Sequence, residues 1–155
     1  MIEIEQIIKP FHELTPDQLY SILQLRSEVF VMEQHCVYQD MDNKDQQSMH
    51  LMLYSAHKLV AYSRLLPPGL YYSEASFGRI ITSKSIRKEG VGKVLVKEAI
   101  ENIYQLFGKQ AIRIGAQYYL FNFYASFGFK KAGDIYLEDG IEHIEMVKDW
   151  IKVKV

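Results

Sequence analysis

Apolar and polar positions alternate from Glu3 to Ile8, which predicts a strand, and Pro10 ends it. A helix follows. Thr15 is a good N-cap, Pro16 suits the first helical position and Gln18 completes a capping box, after which Leu19, Ile22, Leu23, Val29 and Phe30 recur on one face. The pattern carries this helix to Val31 or slightly beyond. "YQDMDNKDQQS" then loses the apolar period and reads as an acidic loop with room for a short helical turn, placed to act as a lid or rim.

From His50 the period changes to that of strands: "HLMLYSA", a turn at His57-Lys58, then "LVAYSRLL", an antiparallel hairpin ended by Pro67, Pro68 and Gly69. "SFGRIIT" predicts another strand, and Ser83 to Ile86 lead into a loop before the central helix. Val91, Val94, Leu95, Ala99, Ile100, Ile103 and Phe107 give that helix an apolar stripe, and Gly108 stops it. Then come a strand "AIRIGAQ", a short helix in "YLFNFYASFGF" ending near Phe127 and Gly128, a strand "FKKAGDI", and a last strand "IEHIEMVKDW" paired with it across "LEDG". Helices interleaved with a mixed, largely antiparallel sheet predict a three-layer α/β (α+β) fold. With no repeat, low-complexity tract or linker, residues 1–155 read as one domain.

The chain has 155 residues, 48% of them hydrophobic, enough for a sizeable core, and a formal net charge of -1 that offers no general attraction to nucleic acid or anionic membrane. No run of 18 apolar residues exists, and the acidic start "MIEIEQIIKPFHEL" lacks the positive flank of a signal peptide, so a cytoplasmic protein is expected. Cys36 is the only cysteine, which excludes an intrachain disulfide and gives no basis for a cysteine metal site. Glu138, Asp139 and His143 are too loosely spaced to predict a metal, since a turn followed by a strand explains them. Tyr118, Tyr119, Phe121 and Phe123 read as core and groove packing, for no basic patch accompanies them.

The chemistry concentrates in "SIRKEGVGKVLV", residues Ser85 to Val96. A Walker A loop fails because Arg stands at 87 and Val94 follows Lys93. The dinucleotide pattern fails at Leu95. What remains is Arg-x-x-Gly-x-Gly between a strand and a helix. Its glycines let several backbone N–H groups point outward together at a helix N-terminus, a nest suited to a pyrophosphate.

This loop resembles the signature of the GCN5-related N-acetyltransferases, Arg/Gln-x-x-Gly-x-Gly/Ala after a strand, and "FYASFGF" resembles the family's later Tyr and Gly-Phe. "LRSEVFVMEQHCVYQDMD", "GRIIT", "AQ" at 116–117 and "YLEDGIEHIEM" are similar to the ElaA-like subgroup, so the resemblance covers most of the chain. Glu142, where the subgroup often has Pro, and Lys84, where the wider family often has Pro, are departures.

The resemblance implies a GNAT acyl-CoA N-acyltransferase fold and transfer of acetyl from acetyl-CoA directly to a primary amine of a small molecule, peptide or protein, by a monomer or homodimer. It implies that the backbone of Ile80, Ile81 and Thr82 holds the pantetheine arm, and that Arg87, Lys88, Glu89, Gly90, Val91, Gly92 and Lys93 hold the pyrophosphate. It further implies that Gln117 contacts the arm, that Tyr124 protonates the departing thiolate, and that an N–H near Ile81 serves the carbonyl oxygen. A lysine-like acceptor is only about 0.1% neutral near pH 7.4, so a base is needed. Glu33, His50, Glu138, Asp139 and His143 are candidates, with His143 beside Glu138 favoured. Arg26, Arg64 and Arg79 stand either for a substrate carboxylate or for structural salt bridges. The rival reading is a non-catalytic acyl-CoA-binding or protein-interaction module on the same fold.

Overall fold

The computed structural model describes residues 2–150. Strands β1 (Glu5–Pro10), β2 (Met49–Ser55), β3 (Lys58–Leu66) and β4 (Ser76–Thr82) form one antiparallel sheet in chain order. Strands β5 (Ile112–Gln117), β6 (Lys130–Lys131), β7 (Tyr136–Glu138) and β8 (Ile141–Lys148) form a second, in which β8 pairs with β5 along one edge and with β6 and β7 along the other. Among the described residues the two sheets are joined by one parallel bridge, between Ala75 and Ile112, where the Arg113 N–H donates to the Ala75 carbonyl at 3.0 Å. Beyond that point β4 and β5 diverge.

Helix α1 (Pro16–Arg26) covers one face of the first sheet and helix α2 (Val91–Phe107) the other. Period-2 alternation sorts β2 between them: Leu51 and Leu53 pack with Leu95, Ala99 and Ile103 of α2, whereas Met52 packs with Ile22 and Leu25 of α1. β3 is buried on both faces from Leu59 to Leu66, which explains its nearly unbroken apolar run. This is the three-layer arrangement expected from the element order.

Several boundaries differ from expectation. β1 is displaced toward Pro10, which ends the strand as its last residue and so needs no following ladder N–H. The capping box at Thr15 and Gln18 is present, but the α-helical geometry ends at Arg26. Ser27–Glu33 continue as a π-helix, with Gln34 N–H reaching the Val29 carbonyl at 3.3 Å. The hairpin turn is Ala56-His57 rather than His57-Lys58, both in the left-handed region that a two-residue turn requires. Val94 is 41% exposed, and Val96 takes its place in the core, a small rotation of the predicted stripe. "FKKAGDI" does not form a continuous strand: β6 has two residues, and the chain re-pairs as β7 before the Asp139-Gly140 turn.

Candidate active site

The divergence of β4 from β5 opens a cavity of about 940 Å³. On its near side, β4 is paired with β3 along one edge, and beyond the Ala75 bridge it has no strand partner along the other among the described residues, so the main-chain groups of that open edge can pair with an extended ligand. The register against β3 shifts between Tyr62 and Arg64, leaving Arg79 and Ile80 opposite Ser63, and Arg79 sits at a positive φ of 49°. This bulge re-aims the backbone at the cavity wall.

The loop after β4 ends at α2 with Lys88 at φ 73° and Gly90 at φ 78°, two left-handed positions bracketing Glu89. No side chain caps the helix. Among the described residues its first N–H groups have no side-chain acceptor, and a Cβ built on Gly92, a cavity residue, would meet nothing within 4 Å. An uncapped helix start, an open glycine and neighbouring cations suit a phosphate anion. Val91 is buried, so only its backbone can take part, while Lys88, Glu89 and Lys93 are exposed. Arg87 is already engaged, with Nη1 at 2.6 Å from Glu33 and Nη2 donating to the Thr82 carbonyl at 3.1 Å.

Tyr124 stands on the short helix α3 (Phe121–Ala125), which follows a single turn at Tyr118–Leu120. Its ring packs on Phe77, Phe123 and Phe129, and it reaches the cavity wall while only 5% exposed. Burial raises its pKa, and Tyr119 adds to the rise, so the phenol keeps its proton. The Gly-Phe that follows has a structural reason: Gly128 turns the chain at φ 96°, and a Cβ there would lie 2.7 Å from the Lys148 ammonium, which donates to the Phe127 carbonyl at 2.8 Å.

Across the cavity, His143 and Glu138 come together. The His143 Nδ1–H donates to the Ile141 carbonyl at 2.8 Å, which places Nε2 3.5 Å from Glu138 Oε2. The imidazole stacks on Tyr136 at 5.7 Å. Glu33, Glu138 and Asp139 also line the cavity. His50 does not: it is buried, with one ring nitrogen 2.6 Å from the Tyr62 hydroxyl and the other 2.8 Å from the Asp45 carbonyl, and burial lowers its pKa. It is a structural histidine. Gln117 lines the cavity and exchanges amide hydrogen bonds with Gln34, at 3.2 and 3.4 Å.

The three arginines hold the acidic loop. Arg26, 0% exposed, pairs with Asp40 at 2.6 Å and Asp45 at 2.8 Å; Arg64 grips both Asp42 oxygens, at 2.7 and 2.8 Å, and also Asp45; Arg79 reaches Asp40 at 2.8 Å. Burial pushes the Asp42 and Asp45 carboxyls up, but the arginine hydrogen bonds and charges outweigh it and hold both well below the usual carboxylate range. The segment is a fixed rim, fastened again where the Cys36 thiol donates to the Asp139 carbonyl at 3.3 Å.

An acetyltransferase (GNAT) domain model matches residues 12–150. The chain belongs to the GNAT family. Within it the chain is ElaA-like: Escherichia coli ElaA is 40% identical over 142 residues, covering 90% of this chain and 93% of ElaA, and its crystal structure superposes with a TM-score of 0.89 over 95% of this chain and all of that one. A UPF0039 protein of Synechocystis is 43% identical over 94% of this chain and 96% of its own length. An acyl-CoA N-acyltransferase from Pseudomonas aeruginosa, 36% identical, superposes with a TM-score of 0.90 over 94% and 99% of the two chains. The fold is therefore that of the acyl-CoA-dependent acyltransferases.

The segment read as a lid or rim does bring Tyr38, Asp42 and Lys44 to this GNAT cavity, but reading the sequence missed Gln34, Tyr71, Tyr72 and Tyr136 on the same wall. Tyr71-Tyr72 after Pro67-Pro68-Gly69 were the available signal, two large aromatics in a turn-rich loop where no periodic core demands them. Over Gly115 on β5 two tyrosine hydroxyls close in: a Cβ would lie 2.9 Å from that of Tyr136 and 3.1 Å from that of Tyr72, so a side chain there would push them aside.

Proposed function

We propose that the chain is an N-acetyltransferase that moves acetyl from acetyl-CoA to a primary amine in the cytoplasm, without a metal. The observation that supports this best is convergence on one cavity of a free β4 edge, an uncapped helix start at Gly90, a buried phenol and an imidazole–carboxylate pair. Among the described residues no helix is long and apolar enough to cross a membrane.

Acetyl-CoA supplies the thioester. Main-chain groups of Ile80, Ile81 and Thr82 pair with its extended arm, Gln117 touches that arm, and Arg87 with the N–H groups from Lys88 to Lys93 takes the pyrophosphate. An N–H near Ile81, at the bulged strand, donates to the carbonyl oxygen as negative charge gathers there. His143 accepts the first proton from the acceptor ammonium at Nε2, and Glu138 stabilises the resulting imidazolium before the proton passes to water. As the C–N bond forms and the C–S bond breaks, Tyr124 gives its proton to sulfur; the second proton leaving nitrogen restores the phenol. A free phenol near pKa ~10 and a thiol near ~8.5 are mismatched in water. Burial raises the proton affinity of the thiolate along with that of Tyr124, which keeps the transfer accessible.

Two measurements on Tyr124→Phe test this reading. Acetyl transfer is expected to fall by about 10²–10⁴. Acetyl-CoA at about 100 times its Kd should still stabilise the variant by about 2.7 kcal/mol, roughly 5–10 °C in Tm. Undiminished transfer removes Tyr124 as the acid. A thermal shift with no turnover by any amine, in the unaltered protein, would leave the acyl-CoA-binding module instead; no shift at millimolar acetyl-CoA would remove both.

A further inference from the structure

The cavity wall carries a chain of aromatic contacts that the transfer chemistry above does not use. Lys44 Nζ sits 5.5 Å over the Tyr71 ring. Tyr71 meets Tyr72 edge-on at 4.7 Å, the Tyr72 and Tyr136 hydroxyls converge over Gly115, and Tyr136 stacks on His143. A cation thus stands at one end of a tyrosine wall and the imidazole–carboxylate pair at the other.

The charges at the cation's end are unequal. Arg64, Arg79 and Arg87, the arginines lining the cavity, each face a carboxylate. Lys44 has no carboxylate partner among the described residues, although it is half-buried and on the wall. Three buried or half-buried arginines cancel Asp40, Asp42 and Asp45, so the Lys44 ammonium is the excess charge of this segment, while the carboxylates of Glu138 and Asp139 stand on the part of the wall that holds His143. Its mount is fixed: the Lys44 N–H donates to Asp42 Oδ1 at 3.1 Å, and its carbonyl accepts from the Ser48 hydroxyl at 2.7 Å. A rigid backbone, an unneutralised ammonium and an adjacent aromatic face are the parts of an anion subsite beside an apolar one.

We propose that Lys44 binds a carboxylate of the acceptor, and that the acceptor is an amino-carboxylate whose aromatic or apolar body lies on Tyr71, Tyr72 and Tyr136 with its amine toward His143 and Glu138. The proposal rests on reading the cavity as an acyltransferase site. A single ammonium without an arginine fork or free helix start beside it matches a monoanion better than a phosphate dianion.

The test is calorimetric binding to the full chain with CoA present, using para-(aminomethyl)benzoate, phenylalanine and the amide of each. These pairs present two spacings between amine and carboxylate. The acid of at least one pair should bind about tenfold or more tighter than its amide. In Lys44→Met that preference should fall to about one, and Lys44→Arg should restore it. Equal or tighter binding of both amides, survival of the preference in Lys44→Met, or no binding by any member overturns the subsite. Acetyl transfer to the same compounds is measured separately: a Lys44-dependent preference without transfer supports the subsite while removing the acyltransferase reading, whereas transfer to the amides alone does the reverse.

Discussion

The two walls of the cavity are made by different means. The β4 edge and the loop into α2 present main-chain groups, set in place by a bulge and by Gly90 in the left-handed region. The opposite wall is made of side chains drawn from the rim between Gln34 and Lys44, from Tyr71 and Tyr72, and from β7 and β8, and it is held by buried ion pairs. A wall of backbone suits a ligand common to a whole family, because any sequence with the right φ angles can supply it. A wall of side chains can change its ligand one residue at a time.

The largest expected effect comes from breaking the ion network. Arg26→Met removes a fully buried guanidinium and leaves three aspartates facing two arginines. Loss of one partner from such a buried set costs about 3–5 kcal/mol, because the desolvated carboxylates remain. Urea unfolding at neutral pH measures it. If the walls are separate, acetyl-CoA should still shift the Tm of the weakened protein; a stability loss below about 1 kcal/mol would mean that the rim does not depend on this network.

That contrast also decides what could be read from the chain. Arg87, Gly90 and Gly92 lie within six residues, and their spacing carries its own physical reason, so the loop proposed to hold the pyrophosphate is legible. Tyr124 is legible only through its order after the loop, since eleven tyrosines leave residue type uninformative. Arg26, Arg64 and Arg79 stood out, but their partners did not: an arginine on the apolar face of α1 gives no sign that Asp40 and Asp45, 14 and 19 residues later, will meet it. His50 and His143 illustrate the same limit. Both lie on strands near acidic residues, and only the fold turns one into the core with both nitrogens bonded and the other toward the cavity. The π-helical turn at Ser27–Glu33 escaped because its residues carry ordinary helical periodicity.

A smaller effect, and a sharper one, separates backbone strain from ligand approach on the near wall. Gly90→Val forces a β-branched residue to φ 78°, at about 1–3 kcal/mol, although its Cβ would meet nothing within 4 Å. Gly92 lies inside α2 with no such angle, so Gly92→Ala should leave stability unchanged or raise it by up to about 1 kcal/mol. Both variants should bind acetyl-CoA more weakly, Gly92→Ala because it adds a methyl group at the cavity and Gly90→Val because its strain shifts the helix start beside it. If Gly92→Ala binds acetyl-CoA as tightly as the original chain, the near wall does not touch the phosphates.

The smallest effect concerns an exposed contact between the walls, which the part-buried Arg79–Asp40 pair also joins. Glu33 comes from the π-helical turn of the far wall and Arg87 from the loop before α2, and they meet at 2.6 Å with both side chains partly in solvent, at 30% and 38% exposure. An exposed pair of this kind contributes under about 1 kcal/mol, so Glu33→Gln should hardly alter the urea midpoint. Its consequence lies in binding. On the proposed binding mode Arg87 exchanges the Glu33 carboxylate for a pyrophosphate, and the neutral amide removes that competitor while leaving a hydrogen-bond acceptor in its place. CoA should bind Glu33→Gln a few-fold tighter at low salt, with the difference narrowing as ionic strength rises and screening weakens the original pair. Weaker binding in the variant would give Glu33 the opposite role, that of holding Arg87 in the posture from which it meets the phosphate.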